Sequence, residues 1–438
     1  MTKRFVDYDF DRSLGFWNLL NKSPGVWFQN KKKADNAEGL WRIHDGLYDV
    51  TNFIQLHPGG KFWLEETKGM DVTEFFESHH VRSDKPEKML KRFYVREAKG
   101  PRLSKYTFAD NGFYRTLKRR VREVLKTIPE DRDDFSKFWC DVMVLTTFIF
   151  ACSANYYSMY TLAFLAGFFS SLSLTATHNF IHQKDNWRMY YADVMLFPSR
   201  DARIFHAISH HMYTNTVADI QFIAGKPFID HLPGPKSFIK KYLSWIYTPL
   251  LLWPILFYLT QLLSTLEYFV TKKRRGLEAC LTFTVPFAMY IFGRQPLGTT
   301  LWMWQIIIVV YSFFFSIVAL ALNHAHPDIF VDGDLTRSEA EWDWGINQLD
   351  TSQDRTSANS YKLVVLLSFG DHGLHHLFPS LDHSILHDLY PVLEETLKEF
   401  NLNSIRMNTY SDLLMGYFKR MKMELPNLDP NSLGYIKK

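Results

Sequence analysis

Three short runs hold eight of the chain's 17 histidines: His178 and His182 in HNFIH, His206, His210 and His211 in HAISHH, and His372, His375 and His376 in HGLHH. On an α-helix, side chains three or four apart share a face, so each run aims two or three imidazoles at one point. Neutral imidazole binds iron, zinc and copper. Eight imidazoles are twice what a four-coordinate zinc site uses, so two metals sharing the set account for them better. Any single pair such as HNFIH is as easily a solvated or core pair. Three such runs in one chain, each beside a long apolar segment, make a metal site at a membrane surface. Without carboxylate-rich boxes, the Glu-x-x-His plan of di-iron helix bundles is disfavoured.

A second constellation lies near the N-terminus. Residues 40–60, LWRIHDGLYDVTNFIQLHPGG, read as a short strand, a DG turn, another strand, and then His57 followed by Pro and two glycines. Glycine there lets the backbone pass close to a flat ligand. The helical stretches KFWLEETKG and DVTEFFESHH follow, the latter ending in His79 and His80.

The spacings HxxxH, HxxxHH and HxxHH resemble those of the membrane fatty acid desaturase and hydroxylase superfamily. Residues 20–98 resemble cytochrome b5. The first resemblance implies two non-haem iron ions held by histidines alone, which activate dioxygen against a fatty acyl or other lipid chain. It also implies a further ligand, His324, in the NHAHP that follows the last apolar segment, with His326 behind it. The second implies a haem b held between His57 and His80, with His79 as the fallback for the second ligand. Two axial histidines leave no open position on a haem iron, so such a haem carries electrons. Its implied donor is an NADH-cytochrome b5 reductase. Box three departs from the b5-fused desaturases that act near the carboxyl end, which carry glutamine where His372 stands. Histidine keeps a metal ligand there but puts that regiochemistry in doubt.

The expected activity is that of a membrane lipid oxidoreductase, desaturase-like, fed by its own haem. Two other readings stand beside it: an electron carrier whose desaturase-like half is catalytically silent, and a lipid hydroxylase. The expected fold is an α+β haem domain followed by a mainly α membrane domain, four transmembrane helices in two hairpins under a cytosolic histidine-box cap. Its divisions are an extension (1–19), the haem domain (20–98), a charged linker (99–137), the membrane domain (138–400) and a tail (401–438).

Composition fits this plan. Aromatic residues make up 16% of the 438 residues, yet the mean hydropathy is −0.17, so apolar spans must alternate with polar blocks. The net charge of +4 is small, and no basic patch with interleaved aromatics suggests nucleic acid. Cys140, Cys152 and Cys280 show no metal or redox spacing. The N-terminus lacks the apolar core of a secretory signal, which keeps the haem domain in the cytosol. Residues 138–176 are long enough for two crossings, and 277–292 with 301–322 make a second hairpin. Residues 245–270, broken by Pro249 and Pro254 and carrying Glu267, read as interfacial or re-entrant. Lys272, Lys273, Arg274 and Arg275 mark the cytosolic side, so all three boxes meet on one face. The family resemblance implies the endoplasmic reticulum. Lys118, Arg119, Arg120, Arg122 and Lys126 form an amphipathic helix expected to rest on lipid headgroups. Asp219 and Asp371 are placed to accept the second N–H of a ligand imidazole, or equally to serve as N-caps or surface charges, and residues 342–355 to close the site.

Overall fold

The computed structural model describes residues 23–226, 228–271, 276–319, 323–359 and 361–429. The expected N-terminal extension, the basic run 272–275 and the last residues of the tail lie outside these. The haem-domain sheet is antiparallel, with β1 (Trp41–Ile43), β2 (Gly46–Tyr48) and β3 (Tyr94–Glu97) in that order. Ile43 pairs with Gly46, so the turn is His44–Asp45, one position ahead of the expected DG. Its left-handed residue is His44, at φ 54°. That uncommon conformation is held from outside: the His44 amide donates to the Thr73 hydroxyl (2.8 Å), and its ring meets the Glu77 carboxylate (2.8 Å). Around the sheet lie α1 (Pro24–Asp35), α2 (Lys61–Thr67) and α3 (Thr73–His79). Gly60 starts α2 at φ 102°, and a Cβ there would fall 2.1 Å from the Asp185 carboxylate, so the glycine lets this turn lie against the membrane domain.

The charged helix α4 (Phe113–Leu125) corrects an expectation. It does not lay its charges on headgroups but is wedged between the haem domain and the histidine cap. Phe113, Tyr114, Leu117, Val121 and Leu125 are buried along one face. The Tyr114 hydroxyl is shared between the carbonyls of Glu77 (3.2 Å) and Leu377 (3.1 Å), one on each side of the joint. Lys118 pairs with Glu77 (3.0 Å) and Glu87 (3.2 Å), Arg122 with Glu87 (2.5 Å), and Arg120 with Glu399. Basic residues spaced for a membrane surface are here satisfied by acids distant in sequence, a pairing that helical periodicity does not encode.

Burial alone would push the Glu77 carboxyl up. The His44 hydrogen bond and the charges of Lys118 and Arg115 outweigh it and hold the group well below the usual carboxylate range. Removing one partner of such a buried pair leaves the other uncompensated. Glu77→Gln should therefore cost about 3 kcal/mol, read from the urea midpoint of the haem Soret band. An unchanged midpoint would show that Lys118 is adequately served by Glu87.

Helices α5 (Asp134–Tyr157) and α6 (Tyr160–Ile181) form the first apolar hairpin, turning at Ser158, φ 57°. Among the described residues, four helical stretches are long and apolar enough to cross a membrane: 131–157, 160–181, 239–271 and 297–318. The third of these is not the expected one, since 277–292 forms a shorter apolar helix. Contacts show how both are used. The 239–271 stretch, which ends in α7 (Leu256–Thr271), is tied to the histidine side at both ends: Lys241 to Glu424 (2.6 Å), and Glu267 to the Gly25 amide (2.9 Å). The 277–292 stretch, ending in α8 (Thr284–Phe292), starts beside Asp193 (Thr282 hydroxyl to its carbonyl, 3.3 Å). It arrives at the far end, where Gln295 and Thr300 bond Asn155 (3.0 and 2.6 Å) at the turn of the first hairpin. So the shorter stretch leads to the far end and the longer one returns to its own side. Helix α9 (Leu297–Ala319) brings the chain back.

The expected tail is also revised. Met407–Asn408 pair in parallel with Asp354–Arg355. Arg420, on α10 (Tyr410–Lys422), is fully buried against Asp334 (2.9 Å) and the His231 carbonyl (3.0 Å). Residues 401–429 are therefore part of the cap that carries the histidines.

Candidate metal and haem sites

Each histidine run is carried differently. His178 and His182 lie one α-turn apart at the end of α6, whose buried Ser170, Ser171, Ser173, Thr175 and Thr177 keep that helix slim among its neighbours. Box two lies on a continuous helix, 199–213, whose middle, Arg203–His210, is π-wound. Hydrogen bonding to the fifth residue widens the turn, and such segments recur at functional sites. His206 and His211, five apart, enter one group of nitrogens. His210 enters another, although its ring still stacks on His206 at 5.2 Å. Box three lies on α11 (His372–Leu377), with adjacent His375 and His376 facing different groups. The expectation that each run aims at one point thus fails for boxes two and three. Both runs are split across two sites.

The first group is His178, His182, His206, His211 and His375; the second is His210, His324 and His376. Within each, one nitrogen per ring lies within 4.8 Å of all the others. His372 adjoins the second, its Nε2 2.7 Å from that of His324. The groups share a wall where His211 stacks on His376 at 4.2 Å. His326 stays apart, its Nδ1 accepting from the Asp328 amide (3.2 Å).

Nitrogens converge more closely than hydrogen bonding alone explains. The His178 Nε2 lies 2.6 Å from that of His206 and 3.1 Å from that of His182, and the His211 Nε2 is 3.3 Å from that of His206. Two neutral imidazoles can share one N–H, but several lone pairs meeting at a point require a cation. Both nitrogens of His375 and Nε2 of His376 are buried without a hydrogen-bond partner. Burial lowers the pKa of His206 to about 3 and holds those of His211, His372, His375 and His376 well below the ordinary value, with neighbouring imidazoles adding to the effect. The neutral form is the ligand form. These donors fit two nitrogen-bound metal ions.

The outer nitrogens are aimed by partners that fix tautomer and ring orientation. His206 Nδ1 meets the Gln221 carbonyl oxygen (2.7 Å), His210 Nδ1 the Asp219 carboxylate (2.7 Å), His324 Nδ1 the Thr351 carbonyl (2.8 Å) and His376 Nδ1 the Gln348 carbonyl oxygen (3.0 Å). Gln348 belongs to Trp344–Asp350, within the segment expected to close the site. Asp219 takes up the role anticipated for it. Asp371, left-handed at φ 51°, instead faces His387 at 3.7 Å. Asp219→Asn, which keeps an oxygen but loses the charge, should weaken metal retention about 10- to 100-fold, measured by dialysis against a graded chelator. Retention equal to wild type would remove Asp219 from the ligand set's support.

One histidine was not anticipated. His383 is buried, its ring 5.0 Å from His375 and 5.4 Å from His178, with both nitrogens unpartnered. Its amide donates to Asn179 (3.1 Å), and neighbouring Asp382 accepts from Asn179 and Gln183 (2.6 and 3.1 Å). No spacing rule selects it, because these partners lie about 200 positions away.

In the haem domain, His57 and His80 face each other with ring centroids 6.3 Å apart. Two metal–imidazole bonds of about 2 Å each, with the ring radii added, span that separation. His57 Nδ1–H donates to the Gly60 carbonyl (2.9 Å) and His80 Nδ1–H to the Phe76 carbonyl (3.0 Å), which leaves both Nε2 atoms for a metal. Phe53 and Phe76 pack against the two rings. His79 turns away and stacks on Phe75 at 3.8 Å. The pair fits a bis-histidine haem.

The two sites are joined through Arg203, at the start of the π-wound segment. Its buried guanidinium lies over Trp63 of α2 (4.4 Å), donates to the carbonyls of Ile181 and Gln183 (both 3.2 Å) and pairs with Asp185 (2.5 Å). The Asp185 amide in turn donates to the Gly59 carbonyl (3.1 Å). The turn after His57 and the end of box one are thus held together.

Comparison with known proteins agrees with both halves. Residues 155–406 match the fatty acid desaturase family, and residues 28–99 the cytochrome b5-like haem/steroid binding domain. The cytochrome b5-related protein of Drosophila melanogaster is 38% identical over 412 residues, 92% of each chain. A probable Delta(5) fatty acid desaturase C of Dictyostelium discoideum is 27% identical over 432 residues, covering 88% of this chain and 91% of that one. Cytochrome b5 type B of Rattus norvegicus is 44% identical over 82 residues, 18% of this chain and 56% of its own. No solved structure matches.

Proposed function

Because the chain belongs to the fatty acid desaturase family, with a cytochrome b5 domain at its N-terminus, we propose that it is a membrane lipid oxidase that desaturates a fatty acyl chain. His178, His182, His206, His211 and His375 would hold one iron, and His210, His324, His372 and His376 the other. His57 and His80 would hold haem b. When bound, a di-iron centre supplies reduction of dioxygen and abstraction of hydrogen from an unactivated carbon. The observation that carries the reading is the convergence of nine buried imidazoles, four of them anchored through the outer nitrogen, at one end of the apolar helices, beside a histidine pair spaced for haem.

The chain's own residues do the positioning. Gln221, Asp219, Thr351 and Gln348 fix the ligand rings, so that little reorganisation accompanies each change of metal charge. The apolar helices would hold an alkyl chain, and where that chain stops would choose the carbon attacked. Arg203 and α4 hold the haem domain in place, so electrons arrive from within the chain. An NADH-dependent flavin reductase would recharge the haem from the cytosolic face of the endoplasmic reticulum. Several relatives are named as Delta(5) or acyl-lipid desaturases, which points to an acyl-lipid substrate.

The test is a lipid profile of a host expressing the full chain beside one expressing His376→Ala. New acyl species two mass units below their parents, present only with the wild-type chain, are expected. Species heavier by one oxygen would make it a hydroxylase. No new species across a panel of acyl chain lengths, despite full haem and iron loading, would overturn the reading.

A further inference from the structure

His79 adjoins the haem pair through His80 and the histidine cap through Ser380, and belongs to neither site. On α3 it directly precedes His80, so the two rings are joined by a single peptide link and point apart. Its ring lies in an aromatic stack, 3.8 Å from Phe75 and 6.3 Å from Trp63, which itself sits under Arg203 at 4.4 Å. Nδ1–H is committed to the Phe75 carbonyl (3.1 Å), and Nε2 is buried with no hydrogen-bond partner. The His79 carbonyl accepts from the Ser380 hydroxyl (3.0 Å), four positions after His376, while Tyr114 bridges Glu77 to Leu377 beside box three. Helix α3 also packs on His211–Tyr213, the end of box two. Of the box-two residues it packs on, His211 is a member of the five-histidine group.

We propose that His79 is the electron outlet of the haem domain, the side chain across which an electron passes from the His80 side of the haem to the five-histidine group. This rests on the haem and iron assignments above. A path through covalent bonds and packed rings couples two redox centres better than an open gap, and here the path is bonded from the His80 ring to the His79 ring. Each passage takes one electron from ferrous haem, leaving it ferric, and converts one ferric iron of the cluster to ferrous. Two passages serve each dioxygen, with NADH as the ultimate donor through a flavin reductase. No bond or proton changes at His79 itself, so the ring has to be present and packed rather than ionised.

The experiment compares wild type, His79→Leu and His79→Phe as full chains loaded with haem and iron. Haem spectrum, haem midpoint potential and iron content are measured first. The oxidised proteins are then mixed anaerobically with less than one equivalent of dithionite, and reoxidation of the haem is followed at its Soret band. His79→Leu should leave spectrum, potential and iron unchanged yet slow reoxidation several-fold, while His79→Phe, which keeps a ring against Phe75, retains most of the rate. Equal rates in wild type and His79→Leu would overturn the proposal, as would loss of haem or iron in both variants, which would make the residue structural. A wild-type chain that holds haem iron alone would show no internal reoxidation, a result that defeats the iron-site reading itself and is distinct from an effect of His79.

Discussion

Replacing His210 with alanine should eliminate lipid product while leaving the haem spectrum unchanged. Among the described residues, His210 is one of three whose nitrogens meet in the second group, which His372 adjoins, and its ring packs on His324 and His376. Its loss takes away a proposed ligand and one hydrogen bond of the fully buried Asp219 carboxylate, which keeps the amides of Asn215 and Phe222. A hydrogen bond to a charged group contributes about 1.5–3 kcal/mol, so some loss of overall stability is expected alongside loss of metal. The loss of activity should exceed the about 10- to 100-fold that follows from removing an outer partner, and iron content should fall with it. His326→Ala provides the contrast. It is two positions from His324, but its ring serves the Asp328 amide, and activity should persist. Product from His210→Ala at wild-type levels would dismiss the two-site arrangement.

The second large effect is expected at His57. His57→Ala removes one nitrogen of the pair proposed to hold haem and the Nδ1–Gly60 hydrogen bond that orders the turn against Asp185. The b-type spectrum should disappear. Product should disappear with it, although His324 and all eight box histidines remain and iron content should be retained. The two variants are thus mirror images: His210→Ala keeps haem and loses iron, His57→Ala keeps iron and loses haem, and both lose product. Adding a separate reduced cytochrome b5 to His57→Ala should restore little activity, because the haem domain already occupies the face beside box three through Tyr114 and Ser380. Full rescue in trans would show that this docked arrangement is not the one that transfers electrons.

Much of this was legible in the residues. Local rules are sufficient for the strand pair before His57 apart from its turn, the three histidine runs and the apolar hairpin of α5 and α6, because each depends on neighbours in sequence, whereas the choice of His57 and His80 comes from the resemblance to cytochrome b5. What failed depended on distant partners. The split of box two comes from π winding at Arg203–His210, where an α-helical wheel places His206 and His210 on one face. Lys118 and Arg122 looked like headgroup contacts because Glu77 and Glu87 are invisible from within α4. His383, Gln221 and Gln348 gain their meaning only where α6, box two and α11 come together. Pro249, Pro254 and Glu267 mark 245–270 as interfacial in sequence, and the Gly25 amide gives the Glu267 charge a partner on the histidine side.

If one chain holds a haem and two further irons, the full protein expressed under iron-replete conditions and purified in detergent should contain three irons, one of them in haem, with little zinc. Elemental analysis of iron and zinc, set against haem from the reduced-minus-oxidised spectrum, measures this. Haem iron alone, or zinc filling the histidine groups, would contradict it and leave an electron carrier in place of an oxidase.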